Sequence, residues 1–197
     1  MSLLLASKSA ARRHMLEAAG VKFESCEAPL DEEAAKAEIR ATGAGARELG
    51  AGLAERKALS VTARDSDLVL GADQTLERGD GSMLDKPASY DEAFAQLRSL
   101  SGTAHRLHAA AAIAQAGAIR WRRTATVTLH VRPLSDAFLR SYLDAEYETI
   151  RHNVGGYRIE GPGVQLFSRI EGSHFAIMGL PLLPLLGYLR RRGLLKT

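Results

Sequence analysis

Two hydroxyl and two guanidinium side chains follow an apolar run near the amino end of the sequence. Ser7 and Ser9 come directly after Leu3–Ala6, and Arg12 and Arg13 follow closely. A serine can cap a helix there, and the first helical turn leaves backbone N–H groups without partners inside the helix. The serine hydroxyls, the unpaired backbone N–H groups and the guanidiniums could together bind an anion with many oxygens, such as phosphate. These residues alone leave open a plain capped helix with surface arginines, and the glycines of a P-loop are missing.

Two further charged side chains, Asp73 and Lys86, lie at the ends of predicted elements or turns. Asp73 comes just after a buried strand predicted at Leu68–Leu70, within GADQT, where open α/β sheets bind ligands. Its carboxylate could hold a divalent metal or accept a proton from water, or it could simply cap a turn. Lys86 precedes Pro87, which favours an extended backbone and would aim the ammonium from a defined place. An ordinary surface lysine is the alternative.

Further charged groups are less specific by themselves. Glu32 lies in the acidic run DEE at a predicted helix start, where acids commonly interact only with the helix dipole. Lys57 lies on a predicted helix. The glycine-rich run Gly155–Gly163 favours sharp turns or a close backbone approach to a ligand, and Glu160 and Glu171 project from this region. The sequence contains no GxSxG motif and no Cys/His spacing typical of a metal site.

Hydrophobic periodicity predicts the elements that would position these groups. Strands alternate with helices, and one long hairpin has a strand with alternating apolar and polar residues, so the pattern predicts a mixed β-sheet with flanking helices. Serines are predicted to cap three helices: Ser9, Ser89 and Ser135. The predicted strands are Leu3–Ala6, Val21–Cys26, Leu68–Leu70, His105–Ala114 and Ala118–Val131. The predicted helices are Ala10–Ala19, Glu33–Ala41, Ala46–Thr62, Tyr90–Leu100, Ser135–Ala145 and Leu182–Arg192.

Composition narrows the class of protein. The chain has 197 residues, 46% hydrophobic and 25% charged, which suits one ordinary domain or two tightly joined lobes. The single cysteine allows no internal disulfide and favours a reducing cytoplasm. The net charge of +3 is dispersed, apart from Arg190–Arg192 at a predicted helix end, so we expect no nucleic-acid partner. We also expect no signal peptide and no membrane partner, because the longest apolar window is too short to span a bilayer.

The order of the motifs is more specific than any one of them. ASKSAARR, DEE, a helical Lys57, GADQ, DKP, LSG, GGY and GLP together resemble the Maf family of septum formation inhibitor-like proteins, from Leu3 to about Leu195. The resemblance implies a single Maf-like domain over residues 1–197. It implies a mixed α/β fold with two lobes around a central cleft, like that of the inosine triphosphate pyrophosphatases.

The resemblance also implies an activity. Members are nucleoside triphosphate pyrophosphatases that cleave between the α and β phosphates, need a divalent cation (Mg²⁺ or Mn²⁺) and are commonly homodimers. Proposed roles are the removal of modified nucleotides and the arrest of cell division. A non-catalytic nucleotide-binding regulator of division is the alternative function; it would keep the cations and tolerate loss of the acids.

Residue by residue, the resemblance makes Asp73 the proton acceptor and, with Glu32, a metal ligand. Arg12, Lys57 and Lys86 match cationic site residues of the family. With Ser7, Ser9 and Arg13 from the start of the first helix, they form the predicted phosphate-binding set. The sequence departs from the family pattern at Ala10, where a proline is usual, and at His174, where a tyrosine is usual.

Three positions resemble the family's specificity switches, and here they are Ala11, Gln74 and Glu160. Members acting on dTTP and UTP tend to have arginine, threonine and glutamine there, and members acting on 7-methyl-GTP tend to have tryptophan, glutamine and glutamate. Two of the three positions match the second pattern. A carboxylate at Glu160 could accept two hydrogen bonds from the N1–H and N2–H₂ edge of guanine. This predicts a guanine-type preference, although Ala11 lacks an aromatic ring to stack on the base; a dTTP or UTP preference is the alternative.

Overall fold

The computed structural model describes residues 1–196, so Thr197, the last residue of the predicted domain, lies outside the described residues. Its strands are β1 (Leu3–Ala6), β2 (Glu24–Cys26), β3 (Leu68–Arg78), β4 (Met83–Leu84), β5 (Ala104–Gln115), β6 (Ala118–Val131) and β7 (Phe167–Glu171). Its α-helices are α1 (Ala10–Ala18), α2 (Glu32–Ala41), α3 (Ala46–Ser60), α4 (Tyr90–Leu100), α5 (Asp136–Ile150), α6 (His174–Ile177) and α7 (Leu182–Arg191). A short 3₁₀ helix spans Pro162–Leu166.

The strands form one mixed sheet in the order β2-β1-β3-β5-β6-β7, with β4 paired to β3. Strand β1 runs parallel to both β2 and β3, and its last residue, Ala6, pairs with Gly71. Strand β4 is antiparallel to β3, and β7 is antiparallel to β6. Together with the flanking helices, this confirms the predicted mixed α/β class.

The alternation of side chains along β1 and β3 gives the sheet two chemically different faces. Large residues such as Leu5 and Leu70 point to one face and pack with Leu16 of α1 and Leu189 of α7. The opposite face carries smaller side chains, and a helix can lie close to it. Its buried cluster is Ala6, Val69, Ala110, Ala112 and Ala114 with Ala54 and Ala58 of α3. The small residues therefore determine how near α3 comes to the sheet.

The chain divides into two compact units. The first contains Met1–Gln74, Ala109–Ala125 and the chain from Ser173 onward, and the second contains Thr75–His108 and Thr126–Gly172. In the second unit, α4 packs on α5. No helix among residues 1–196 combines the length and the apolar character that a membrane crossing requires.

The structure corrects several predicted boundaries. Strand β3 does not end at Leu70 but continues to Arg78, so Asp73 lies inside a strand and not in a loop after it. A glycine inside a strand usually weakens it, yet here Gly71 is buried against α3. Strand β2 begins only at Glu24. The sequence pattern does not indicate β4, β7, α6 or the 3₁₀ helix, because these elements are too short to show a clear period.

Candidate active site

The candidate site begins where β1 ends and β3 continues. Because Ala6 pairs with Gly71, the residues Ala72, Asp73 and Gln74 extend beyond the last residue of β1. Their backbone groups on that side are therefore available to partners other than the neighbouring strand. Successive side chains of a strand point to opposite faces. Asp73 therefore shares the α3 face with Gly71, whereas Gln74 shares the other face with Ala72.

Lys57, Asp73 and Glu32 form an ion-pair cluster on the α3 face. The buried ammonium of Lys57, in the last turn of α3, lies 2.7 Å from Oδ1 of Asp73. It also lies 3.2 Å from Oε1 of Glu32, the first residue of α2. Burying an unpaired charge costs several kcal/mol, so the two carboxylates compensate the lysine. The structure thus brings together three residues that are far apart in the sequence.

The close approach of α3 to β3 positions this cluster. A Cβ atom added to Gly71 would lie 2.2 Å from the carbonyl oxygen of Ala54 and 2.5 Å from the amide nitrogen of Ala58. Both distances are far shorter than ordinary contact, so only glycine allows the backbones to come this close. Lys57 directly precedes Ala58 on α3, and Asp73 lies two residues beyond Gly71 on β3. The glycine therefore sets the distance across which Lys57 reaches Asp73.

The acidic run before α2 serves three different purposes. Asp31 caps α2, since its Oδ1 accepts a hydrogen bond of 3.0 Å from the Ala34 amide. Glu33 pairs with Lys36 at 2.8 Å on the exposed side of the helix. Glu32, between them, pairs with Lys57. Only the middle acid of the run therefore belongs to the cluster.

Ser7, Ser9 and Arg12 form a second group, at the start of α1. The hydroxyl of Ser9 accepts from the Arg12 amide at 3.4 Å, which confirms Ser9 as the helix cap. The hydroxyl of Ser7 accepts from the Ser9 amide at 3.3 Å and from Nη1 of Arg12 at 3.2 Å. A serine hydroxyl that accepts in this way still has a proton to donate to an anion.

Arg12 is held by two backbone carbonyls in addition to Ser7. Its Nη1 donates to the carbonyl of Ala72 at 3.0 Å, and its Nε donates to the carbonyl of Gly179 at 3.0 Å. Burial lowers the pKa of Arg12, while the negative charges of Asp73 and Glu32 oppose that shift. An arginine stays charged in a protein at neutral pH. A cation of fixed orientation therefore lies beside the strand that carries Asp73.

The segment from α6 to Gly179 belongs to the site, although no side chain in it was a candidate from the sequence. Nε2 of Gln74 donates to the carbonyls of Ala176 and Ile177 at 2.8 and 2.9 Å. Gly179 has a φ of +99°, and a Cβ there would lie 3.1 Å from Nε of Arg12. The conspicuous glycines of GSHFAIMGLP were the available signal, because a left-handed backbone beside a polar residue favours glycine.

The other predicted residues lie elsewhere. Ala11 and Arg13 are half-buried on α1, in the first unit. Lys86 and Glu160 belong to the second unit and are exposed. Glu171 accepts from His130 at 2.7 Å across β6 and β7, which gives it a partner within the sheet. The grouping of Lys57, Glu32 and Asp73 with the Ser7–Arg12 group is thus a property of the first unit.

The carboxylates of Asp73 and Glu32 are the side chains of the candidate site that could hold a divalent cation. Among residues 1–196, no three His, Cys, Asp or Glu side chains cluster as a metal cage would need. Two carboxylates do meet, on the ammonium of Lys57. Mg²⁺ is usually bound by one or two carboxylates together with waters and substrate phosphates. Asp73 and Glu32 therefore fit a cation that binds together with a phosphate ligand.

Comparison with known proteins places the chain in a family. The model of the family described as "Maf-like protein" matches residues 2–192. A protein of Sphingopyxis alaskensis named nucleoside triphosphate pyrophosphatase is 48% identical over 98% of both chains. One of Caulobacter vibrioides with the same name is 46% identical over 97% of this chain and 96% of its own. A Rhizobium etli protein named 7-methyl-GTP pyrophosphatase is 43% identical over the same shares. The chain therefore belongs to the Maf-like protein family.

Proposed function

We propose that this chain is a nucleoside triphosphate pyrophosphatase that hydrolyses the bond between the α and β phosphates. The observation that carries the proposal is the contact of Lys57 with Asp73 at 2.7 Å, in the same unit as the anchored guanidinium of Arg12. A held carboxylate and fixed cations are what hydrolysis of a polyanion needs. Relatives that match nearly the whole chain bear this activity as their name, which supports the proposal.

The proposed reaction needs charge neutralisation and an oriented water, without a covalent intermediate on the protein. Arg12 and Lys57 neutralise phosphate charge, and the Ser7 hydroxyl donates a hydrogen bond to a phosphate oxygen. Lys86 stays a predicted phosphate-binding residue. Asp73 uses Oδ1 for Lys57, and we assign to Oδ2 the proton of the attacking water. The water oxygen forms a bond to the α phosphorus, the bond from that phosphorus to the bridging oxygen breaks, and pyrophosphate leaves.

A divalent cation, Mg²⁺ or Mn²⁺, would be held by Asp73 and Glu32 with the triphosphate oxygens. When bound, it supplies positive charge that withdraws electrons from the phosphoryl group. Lys57 already balances the same two carboxylates, so it keeps them together before the substrate arrives.

The class of reaction is tested by product analysis. The chain is incubated with several nucleoside triphosphates and Mg²⁺, with and without a chelator. We expect nucleoside monophosphate and pyrophosphate in equal amounts, and no products when the cation is removed. Stoichiometric nucleotide binding without products would instead support a regulator that only senses the triphosphate. The cytoplasmic location that the single cysteine favours stays a prediction, and so does the homodimer that the family resemblance implies.

For the base, we propose a guanine-type preference that includes 7-methyl-GTP. Glu160 is exposed, so its carboxylate is available to accept from the donor edge of guanine. N7-methylation makes the ring cationic, which strengthens those donors and adds attraction. Uracil and thymine place carbonyls on both sides of their one donor, and a carboxylate repels these. The 7-methyl-GTP pyrophosphatases among the relatives support this choice.

The base preference is tested by comparing kcat/KM for 7-methyl-GTP, GTP, dTTP and UTP. We expect 7-methyl-GTP and GTP to rank first, and Glu160→Gln to reduce their advantage. The matched control is Glu148→Gln in the same unit, because Glu148 is an exposed acid that pairs with Arg151 at 3.1 Å. A wild type that prefers dTTP or UTP, with a ranking that Glu160→Gln leaves unchanged, would show that Glu160 does not recognise the base.

A further inference from the structure

We propose that Gln74 is a positioning residue that orients Arg12 through the backbone segment Ala176–Gly179. Gln74 then acts on the phosphates and not on the base. This inference rests on the proposed function for its kinetic test only, since the contacts that carry it belong to the first unit of the fold.

The side-chain amide of Gln74 is bound to the backbone of α6. Nε2 of Gln74 donates two hydrogen bonds, both to backbone carbonyls: to that of Ala176 at 2.8 Å and to that of Ile177 at 2.9 Å. A side-chain amide has two N–H donors, so these two bonds account for both of them. The last turn of the four-residue helix α6 is thereby fixed to β3. A base that approached Gln74 would find only its carbonyl oxygen available.

The Ala176–Gly179 segment in turn contacts Arg12. The amide of Gly179 donates to the same Ala176 carbonyl at 3.1 Å, so Gln74 and Gly179 share one acceptor. The carbonyl of Gly179 then accepts from Nε of Arg12 at 3.0 Å. The α-carbon of Gly179 packs against the guanidinium so closely that a Cβ would lie 3.1 Å from Nε and 3.3 Å from Nη2. A shift of this segment would therefore move the guanidinium.

Arg12 is also hydrogen-bonded to β3, the strand that carries Gln74. Nη1 of Arg12 donates to the carbonyl of Ala72, two residues before Gln74 on β3. Hydrogen bonds therefore join β3 to the Ala176–Gly179 segment, that segment to Arg12, and Arg12 to β3. A threonine at position 74 has neither the reach nor the two donors to hold both carbonyls. The identity of residue 74 therefore bears on how firmly Arg12 is held.

The experiment is a double-mutant cycle with Gln74→Met, which keeps the length of the side chain and removes its donors, and Arg12→Ala. If Gln74 acts through Arg12, Gln74→Met lowers kcat/KM by about 10- to 100-fold, the usual effect of misplacing a reactive group. The loss is the same for 7-methyl-GTP and UTP. In the Arg12→Ala background the same substitution changes kcat/KM by less than about twofold, because the coupled partner is already gone.

Binding and hydrogen exchange give readouts that need no turnover. Gln74→Met is expected to weaken the binding of inorganic tripolyphosphate only when Arg12 is present, and to speed exchange of the Gly179 amide. Gln115→Met is the matched control, because its amide also donates to a backbone carbonyl, that of Ser66 at 3.3 Å. It should leave both readouts unchanged. Circular dichroism checks that each variant is folded.

Two results would overturn the inference. One is an equal loss from Gln74→Met with and without Arg12, in kcat/KM or in tripolyphosphate binding. The other is a change in the ranking of bases with unaltered tripolyphosphate binding, which would make Gln74 a base-contacting residue. A wild type that binds tripolyphosphate but releases no pyrophosphate from any nucleotide would refute the proposed function, while the binding cycle would still decide the role of Gln74.

Discussion

Replacing Gly71 by alanine should separate Lys57 from Asp73. The new Cβ would lie 2.2 Å from the Ala54 carbonyl oxygen, whereas ordinary contact begins at 3.4 Å. Helix α3 must therefore move away by about 1 Å locally, since both clashing groups are backbone and cannot rotate aside. The 2.7 Å contact between Nζ of Lys57 and Oδ1 of Asp73 then lengthens to about 3.7 Å, beyond the limit of a hydrogen bond.

We expect Gly71→Ala to lower kcat by about a hundredfold, since a displacement of about 1 Å can have that effect. Overpacking costs about 1–3 kcal/mol, which lowers Tm by about 2–12 °C in a chain of this size. Pyrophosphate release is measured well below Tm, and circular dichroism checks that the variant is folded.

Gly52→Ala on the same helix is the matched control. Its new Cβ would lie 2.9 Å from Cδ1 of Ile39, the far end of a flexible side chain that can rotate away. Alanine also favours a helix over glycine by about 1 kcal/mol. We therefore expect nearly normal kcat and an unchanged or higher Tm. A folded Gly71→Ala variant with the kcat of the wild type would refute the argument that this glycine positions the ion pair.

Three further predictions concern separate features. Asp73→Asn should lower kcat by about a hundredfold or more with little change in KM, and a nearly normal kcat would remove Asp73 as the proton acceptor. Ala10→Pro should raise Tm by about 1–4 °C, because Ser9 already has an extended backbone (φ −67°, ψ 119°) and proline suits the first helical position. The control Ala37→Pro, inside α2, should lower Tm. Burial lowers the pKa of His105 to about 4 from 6.5, so the unfolded chain binds its proton first. The free energy of unfolding should fall by about 3 kcal/mol as pH drops from 6.5 to 4, a slope that His105→Phe should flatten in chemical denaturation.

Local chemistry made part of the fold predictable. The serine caps were predicted because each one bonds a backbone amide three residues along the chain. Ser9, Ser89 and Ser135 all accept such bonds, from Arg12, Glu92 and Phe138. The hairpin of β5 and β6 was predicted because alternation and a short glycine turn are likewise local signals.

The rest of the site depends on partners that are distant in the sequence. Arg12 was predicted to bind phosphate, but the carbonyl that fixes it belongs to Gly179, 167 residues away. The continuation of β3 through Gly71 could not be predicted, because it depends on the close packing of α3. Gln74 was predicted to select the base, and its bonds to the backbone of α6 appear only in three dimensions. The roles of Lys86 and Glu160 stay predictions.

The position of bond cleavage is the central claim, and hydrolysis in water enriched in the heavy oxygen isotope tests it most directly. Mass spectrometry of the products shows which phosphorus the water attacked. Attack at the α phosphorus, with Asp73 taking the proton, predicts that the heavy oxygen appears in the nucleoside monophosphate and that the pyrophosphate is unlabelled. Label in pyrophosphate, or the release of nucleoside diphosphate and orthophosphate, would contradict the account.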